Sequence, residues 1–298
     1  MNTVWSDHIQ GIDTLYTSRA LRFADCFAPH YLPLLALPQD KPWRILEIGC
    51  GPGALCAALR RHYPLAEIIG IDRDSAFVAY ARKHVQGVTF LEGDATALPF
   101  ADGSFDVTIS NTVAEHIEPT AFYGEQLRVL KEGGVCLVLT TRKGISALPS
   151  EQPTAFENDF WATVQKHDDT MQKHHVCQYP QSEMQMPHTA TDNGFTDITV
   201  GYFLADLTPD DPKYSPDMAR AMLYARRIDE LDAIASTRRT MPEHVSAEQA
   251  KQMTALANVR HDARLARFEN GEKVWDTVIS VIMVLRATKP MRGGESQC

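Results

Sequence analysis

The stretch Arg44-Ile-Leu-Glu-Ile-Gly-Cys-Gly-Pro-Gly53 constrains the fold more than any other part of the chain. Ile45, Leu46 and Ile48 form a short apolar run that stops at Gly49, Gly51 and Gly53. An apolar run ending in glycines is the pattern of a buried parallel strand entering a tight turn. Ala54–Arg61, rich in alanine and leucine, reads as the helix behind it. Strand, turn and helix would bring bare backbone amides and a helix N-terminus to one point, where a nucleotide-like ligand is expected. Glycine has no Cβ to keep such a ligand off the main chain.

Two ligands compete for this turn, beside the plain possibility of a structural glycine turn. Gly49, Gly51 and Ala54 satisfy a relaxed G-x-G-x-x-G/A fingerprint, whose purpose is to cradle a pyrophosphate. Glu47, two residues before the first glycine, makes the stretch E-x-G-x-G-x-G instead. A carboxylate there would repel a pyrophosphate and suit a ligand bearing an ammonium group. On these residues the chain resembles the class I S-adenosylmethionine-dependent methyltransferases, in particular the small-molecule branch that carries I-L-E-I-G-C-G-P-G.

Three further motifs follow in the order that resemblance requires. Ala66–Asp72 reads as a second strand ending in an acid, about 20 residues past the glycines, where a βαβ unit needs a carboxylate for ribose hydroxyls. Asp72 would equally serve as a cap for a helix over Ser75–Val85. Val88–Leu91 reads as a third strand, and Gly93-Asp94-Ala95 with Leu98-Pro99-Phe100 is similar to the family's G-D-A-x-x-L-P-F segment. Phe105–Asn111 is a fourth strand, followed by Thr112-Val-Ala-Glu-His116 and a helix from Glu118-Pro119 to Leu130. Lys131-Glu-Gly-Gly, leading into a fifth strand to Thr140, is similar to R-V-L-K-x-G-G.

The resemblance implies an α/β fold, a Rossmann-like seven-stranded, mostly parallel sheet with an antiparallel last strand and helices on both faces. It implies S-adenosylmethionine as donor, with S-adenosylhomocysteine as product. The backbone of Gly49, Gly51 and Gly53 would then hold the methionyl part, and Glu47 its ammonium group, directly or through water. Asp72, with Arg73 beside it, would hold the ribose; Asp94 and Ala95 the adenine; and the Asn111 region the far side. In similar enzymes an N-terminal aromatic and an arginine close over the methionyl end, a role that falls here to Tyr16 and to Arg19 or Arg22. The simpler reading of residues 1–40 is an amphipathic helical cover on the sheet.

Methyl transfer from a sulfonium is an in-line displacement that needs a general base only where the acceptor must lose a proton. His116, just past the fourth strand, is the best candidate for that base, with Glu115 and Tyr123 weaker ones; a histidine here would otherwise orient its loop.

Past Thr141 the motifs thin. Phe195–Phe203 and Thr277–Arg286 resemble the sixth strand and the antiparallel seventh, which gives core segments at about 40–145, 195–204 and 277–288 of a single domain. Roughly seventy residues separate those two strands, too many for a structureless loop. Ser246-Ala-Glu-Gln249 is a capping-box pattern, and Met218–Ile234 has helical spacing, so a helical lid insertion of two long helices is expected over 205–275. A second insert is expected across about 146–190.

Charge and composition narrow the partners. The 298 residues carry a net charge of −9, against a protein that grips phosphate backbones over a broad face. The start lacks the basic and apolar pattern of a secretion signal, and Val278–Leu285 is too short to span a bilayer. Six cysteines without paired spacing read as reduced thiols in a cytoplasm. His167, Asp168, His174, His175 and Cys177 lack the tight spacing of a zinc site, so no metal is expected. The expectation is a cytoplasmic monomer or homodimer acting on a small-molecule acceptor, with no nucleic-acid or membrane partner. The alternatives are a protein or RNA acceptor, a non-catalytic S-adenosylmethionine-binding protein, and an NAD-dependent oxidoreductase. Against the first, Ser110-Asn-Thr-Val113 stands where an N/D-P-P-aromatic tetrad would be.

Overall fold

Residues 5–147, 153–167 and 176–291 are described by a computed structural model. In chain order the elements are helices α1 (Trp5–His8), α2 (Ile12–Arg22) and α3 (Ala28–Leu35), strand β1 (Arg44–Ile48), α4 (Ala54–His62), β2 (Glu67–Asp72), α5 (Ser75–His84), β3 (Thr89–Glu92) and β4 (Phe105–Asn111). Then come α6 (Pro119–Val129), β5 (Leu130–Ala147), α7 (Ala155–Lys166), α8 (Gln185–Asp192), β6 (Thr196–Leu207), α9 (Pro216–Thr240), α10 (Ala247–Glu269) and β7 (Thr277–Thr288). The chain divides into two compact units.

One unit comprises Arg22–Lys143, Cys177–Ala205 and the chain from Val281 onward, and carries the motifs. Its seven-stranded sheet runs β3-β2-β1-β4-β5-β7-β6. β1 pairs in parallel with β2 and β4, β2 with β3, and β4 with β5. β7 runs the other way: Gly133 donates to the Lys289 carbonyl, and Lys289 donates back to that of Gly134. The expected seven-stranded sheet with an antiparallel last strand is therefore present.

Side chains alternate between the faces of a strand, and the two faces here have different neighbours. Leu46 and Ile48 of β1 join Ile69, Ile71, Val138 and Leu285 in a core shared with Phe122 and Tyr123 of α6 and Met186 and Ala190 of α8. Glu47 is turned to the opposite face, towards Cys56 of α4. On that side Phe23, Tyr31 and Phe203 form an aromatic knot with ring centroids 5.6–6.0 Å apart. Because the strands are parallel, the carboxyl ends of β3, β2, β1, β4 and β5 share one edge, where open α/β sheets bind ligands.

The other unit comprises the chain up to Leu21, Gly144–Val176 and Asp206–Ser280. α9 starts at Ser215, whose hydroxyl accepts from the Met218 N–H, and α10 starts with a capping box formed by Ser246 and Gln249. Phe160 of α7 packs with Ile234, Val245, Met253 and Ala257, so α7 and the two long helices share one core. The leader joins them: Gly11 N–H donates to Asp232 (2.7 Å) and Ser236 Oγ to the His8 carbonyl (2.8 Å).

Among the described residues no helix is long and apolar enough to cross a membrane. No group of three His, Cys, Asp or Glu residues there is arranged to hold a metal. Asp168, His174 and His175 lie outside the described residues. His167 stacks on His244 with centroids 3.6 Å apart.

Candidate functional site at the carboxyl edge of the sheet

The glycine turn is built against the end of β2. Gly49, Gly51 and Gly53 all have positive φ, at 66°, 52° and 88°. A Cβ on Gly49 would come within 2.5 Å of Val113 Cγ2, in the loop after β4. The amides of Gly49 and Cys50 both donate to the Ile71 carbonyl, at 2.8 and 3.0 Å, and that of Gly53 to the Cys50 carbonyl. The Gly51 amide donates to Asp72 Oδ2 at 2.8 Å. The expectation that this turn presents bare amides is therefore corrected: its N–H groups are spent within the unit.

Asp72 is held on both oxygens, by Gly51 on Oδ2 and by the Asp74 N–H on Oδ1 (2.8 Å). Burial raises its pKa, opposed by those two N–H donors. It does not cap α5; that cap is Asp74, which accepts from the amides of Ala76 and Phe77. Its own carbonyl accepts from Gly93 (3.0 Å), which brings Asp94 alongside. Asp94 is exposed, and both its bonds, from Thr96 N–H and Thr96 Oγ1, fall on Oδ1. Ala95 packs against the core, and Arg73 is exposed. The fold thus brings Gly51, Asp72 and Asp94 together along one edge.

Glu47 lies beneath the turn and is 2% exposed. Desolvation pushes its pKa up to about 8, partly offset by hydrogen bonds from the thiol and backbone of Cys56, while the nearby Asp72 charge raises it further. Its Oε2 has no hydrogen-bond partner. Burial likewise pushes the Cys56 and Cys50 thiols well up.

At the end of β4, Asn111 is buried and its carbonyl accepts from Thr112 Oγ1 (2.7 Å). Thr112 has φ +55°, a conformation a β-branched residue rarely adopts, at a cost of about 1–3 kcal/mol. Its N–H is anchored on the Leu139 carbonyl. His116 follows in a short 3₁₀ turn, and its Nδ1 accepts from the Cys177 N–H at 2.9 Å. A donor on Nδ1 places the neutral ring's proton on Nε2. Tyr123, a weaker candidate base, is corrected: it is wholly buried between Phe122 and Phe195, in the core rather than at the edge.

A cleft of about 190 Å³ opens beside this loop, lined by Ala114, Glu115, Thr141, Arg142, Tyr179 and Gln181 among others. Arg142 Nη1 donates to the Gln181 carbonyl at 2.8 Å, and the Tyr179 N–H to that of Glu115. Arg142, Tyr179 and Gln181 carry no signal of their own in the sequence, because what unites them is hydrogen bonding to the main chain between distant segments. Arg22 donates to Thr141 Oγ1 at 3.1 Å in this unit. Tyr16 and Arg19 belong to the helical unit, where Arg19 Nη1 donates to Ser18 Oγ (3.0 Å).

A Rossmann-like sheet, a glycine turn locked to an acid on the next strand and a strained loop at the switch point meet at the sheet edge where open α/β folds bind ligands. Residues 46–138 match the methyltransferase domain family, so that stretch of the chain is a class I S-adenosylmethionine-dependent methyltransferase domain. It is similar to demethylmenaquinone methyltransferase of Thermus thermophilus, 41% identical over 106 residues (34% of this chain, 48% of that one). It is also similar to malonyl-[acyl-carrier protein] O-methyltransferase of Herminiimonas arsenicoxydans, 38% identical over 108 residues (36% and 41%). The matched stretch thus spans less than half of either relative. Among solved structures, phosphoethanolamine N-methyltransferase 2 of Haemonchus contortus, in complex with S-adenosyl-L-methionine, shares the fold with a TM-score of 0.52 at 19% identity, over 98% of this chain and 60% of that one.

Proposed function

We propose that this protein transfers a methyl group from S-adenosylmethionine to a small-molecule acceptor, releasing S-adenosylhomocysteine. The observation that carries the choice of donor is the accounting of the glycine-turn amides. A pyrophosphate needs free N–H groups, and those of Gly49, Cys50, Gly51 and Gly53 are already bonded within the protein. What remains is a Cβ-free surface over a buried carboxyl with an unpartnered oxygen, free to accept a hydrogen bond from an ammonium group.

The residues present fit the donor. The turn would receive its methionyl part, Asp72 with Arg73 its ribose, and Asp94 and Ala95 its adenine. The sulfonium supplies an already activated methyl group, so the protein's part is to hold the acceptor in line and keep water out. The strained Thr112 loop, pinned at Asn111 and Leu139, supports a fixed wall at the methyl end. The small-molecule reading rests on the net charge of −9 and on the lack of the N/D-P-P tetrad.

Thermal shift and calorimetry with S-adenosylhomocysteine and NAD separate the donors. Asp72→Ala should weaken S-adenosylhomocysteine binding by about tenfold or more, through loss of charge-assisted hydrogen bonds and of the Gly51 anchor. Label from the methyl group should then reach one member of a metabolite panel. Stabilisation by NAD and not by S-adenosylhomocysteine would overturn the reading.

A further inference from the structure

We propose that β6 is a docking edge for a second copy of this chain. The two β6 strands pair antiparallel about a two-fold axis at Tyr202 and continue one sheet into the other. This assembly does not depend on the methyl-transfer reading.

β6 stands last in the sheet order, so it has a neighbour, β7, on one side only. It runs antiparallel to β7, since Thr196 Oγ1 donates to the Thr288 carbonyl at 3.3 Å and Thr208 meets Thr277 at 2.5 Å. Alternate residues of an end strand turn their N–H and C=O groups outward. Among the described residues, no backbone hydrogen bond outside the sheet involves 198–205. An open edge is ordinarily guarded by charge, proline or a bulge. From Ile198 to Ala205 the strand has no charged residue and no proline, and within β6 φ is positive at Asp197 alone, before that run.

The two faces of β6 differ. Phe203 and Ala205 are buried, and a Cβ on Gly201 would come within 2.5 Å of Leu34 of α3, so the face carrying these three residues is covered. The other face shows Val200, Tyr202 and Leu204, which are 39%, 49% and 54% exposed. Three large apolar side chains in a row on an uncharged, unbroken edge are a ready template for another strand.

Register and charge select a second copy as the occupant. Antiparallel self-pairing centred on Tyr202 sets Val200 opposite Leu204 and Tyr202 opposite its own copy, so the exposed apolar side chains of both strands lie together on one face. Asp197 and Asp206, the acids that bound the uncharged run, fall opposite Leu207 and Ile198 rather than each other. Such an isologous contact closes after two copies. Each copy carries a net charge of −9, so two copies meet with least repulsion where neither presents a charge, and β6 presents eight uncharged residues in succession. A charged partner gains nothing from that strip. Because the paired strands run in opposite directions, the carboxyl edges of the two sheets lie at opposite ends, and the pairing leaves both ligand edges clear.

Sedimentation velocity of the full chain from about 1 to 100 µM should show a monomer–dimer equilibrium with a dissociation constant on the order of 10 µM, as suits an interface below the standard size of about 1,600 Å². Tyr202→Lys sets two like charges face to face at the axis and should weaken the dimer by about tenfold or more, with the melting temperature of the monomer kept. Tyr202→Glu should do the same, and an equimolar mixture of the two variants should regain the dimer, a rescue that follows from self-pairing at Tyr202. Should either variant fail to fold, hydrogen exchange on the parent carries the test: amides within 198–205 should exchange more slowly at high protein concentration than at low. A monomer at every concentration, a dimer undiminished by Tyr202→Lys, no rescue in the mixture, or exchange over 198–205 that ignores concentration overturns the proposal. A monomer that instead binds an unrelated β-strand peptide along 198–205 would make this edge a site for another protein and overturn the self-pairing.

Discussion

Glu47 keeps its proton to about pH 8 because burial beneath the glycine turn disfavours its charged form. In the unfolded chain a glutamate releases its proton near pH 4.3. Between those values the folded state binds more protons than the unfolded one, so stability falls as pH rises, by up to about 1.4 kcal/mol per pH unit for this group, and levels off above pH 8. Glu47→Gln removes the proton and keeps the shape. Urea unfolding at pH 5 to 8 should show the variant gaining on the parent as pH rises; parallel curves would mean that Glu47 is ionised in the fold. His116 poses a different question. Its Nδ1 is occupied by the Cys177 N–H. Asparagine reproduces an acceptor near the Nδ1 position, whereas glutamine extends towards Nε2. A positioning role predicts that His116→Asn keeps most of kcat while His116→Gln loses it. A general base predicts that both fall by about 10²-fold with an acceptor that must lose a proton.

The joint between α9, α10 and the start of β7 depends on buried charge. Arg264 reaches both Asp276 and Asp210, at 2.7 and 2.8 Å, and Arg226 reaches Asp276 at 2.5 Å. Asp276 is 3% and Asp210 1% exposed by side chain. Removing one member leaves uncompensated charge, so Asp276→Ala should cost about 3–5 kcal/mol, read by chemical denaturation. A loss under about 1 kcal/mol would show that water already reaches the cluster. None of this was legible in the sequence, since the partners lie on separate elements and each reads alone as a solvated charge. What was legible is local. β1 and β2 announce themselves as apolar runs stopped by glycine or an acid, and α10 by the Ser246–Gln249 box. The reach of β5 to Ala147 was not, because Thr141–Gly144 carries no apolar run to mark a strand. Asp72 as an acid ending the second strand followed from spacing, but its bond to Gly51 and the loss of the turn amides to Ile71 follow only from the way β1 lies on β2.

Each unit has its own apolar core, one around Leu46, Phe122 and Leu285, the other around Phe160, Ile234 and Met253. That separation bears on the expected lid. Thr208 and Thr277, at the two ends of the α9–α10 excursion, touch through their hydroxyls at 2.5 Å, so a short glycine-serine linker can replace residues 209–272 without pulling β6 from β7. Such a deletion alone would strip α7 of the core that covers Phe160 and leave Glu157 without its Arg260 partner (2.5 Å). Exposed apolar surface of that kind promotes aggregation. The sound variant also replaces residues 153–167 by a linker, removing both halves of the helical core together. The motif-bearing unit keeps its own core, so the variant should bind S-adenosylhomocysteine within about threefold of the parent, a difference below 1 kcal/mol. If the helices exclude water and seat the acceptor, as closing lids do, methyl transfer to the native acceptor should fall by about 10²-fold or more. Transfer at the parental rate in a folded variant would remove the lid from consideration. A simultaneous change from dimer to monomer in light scattering would then assign the helices to self-association.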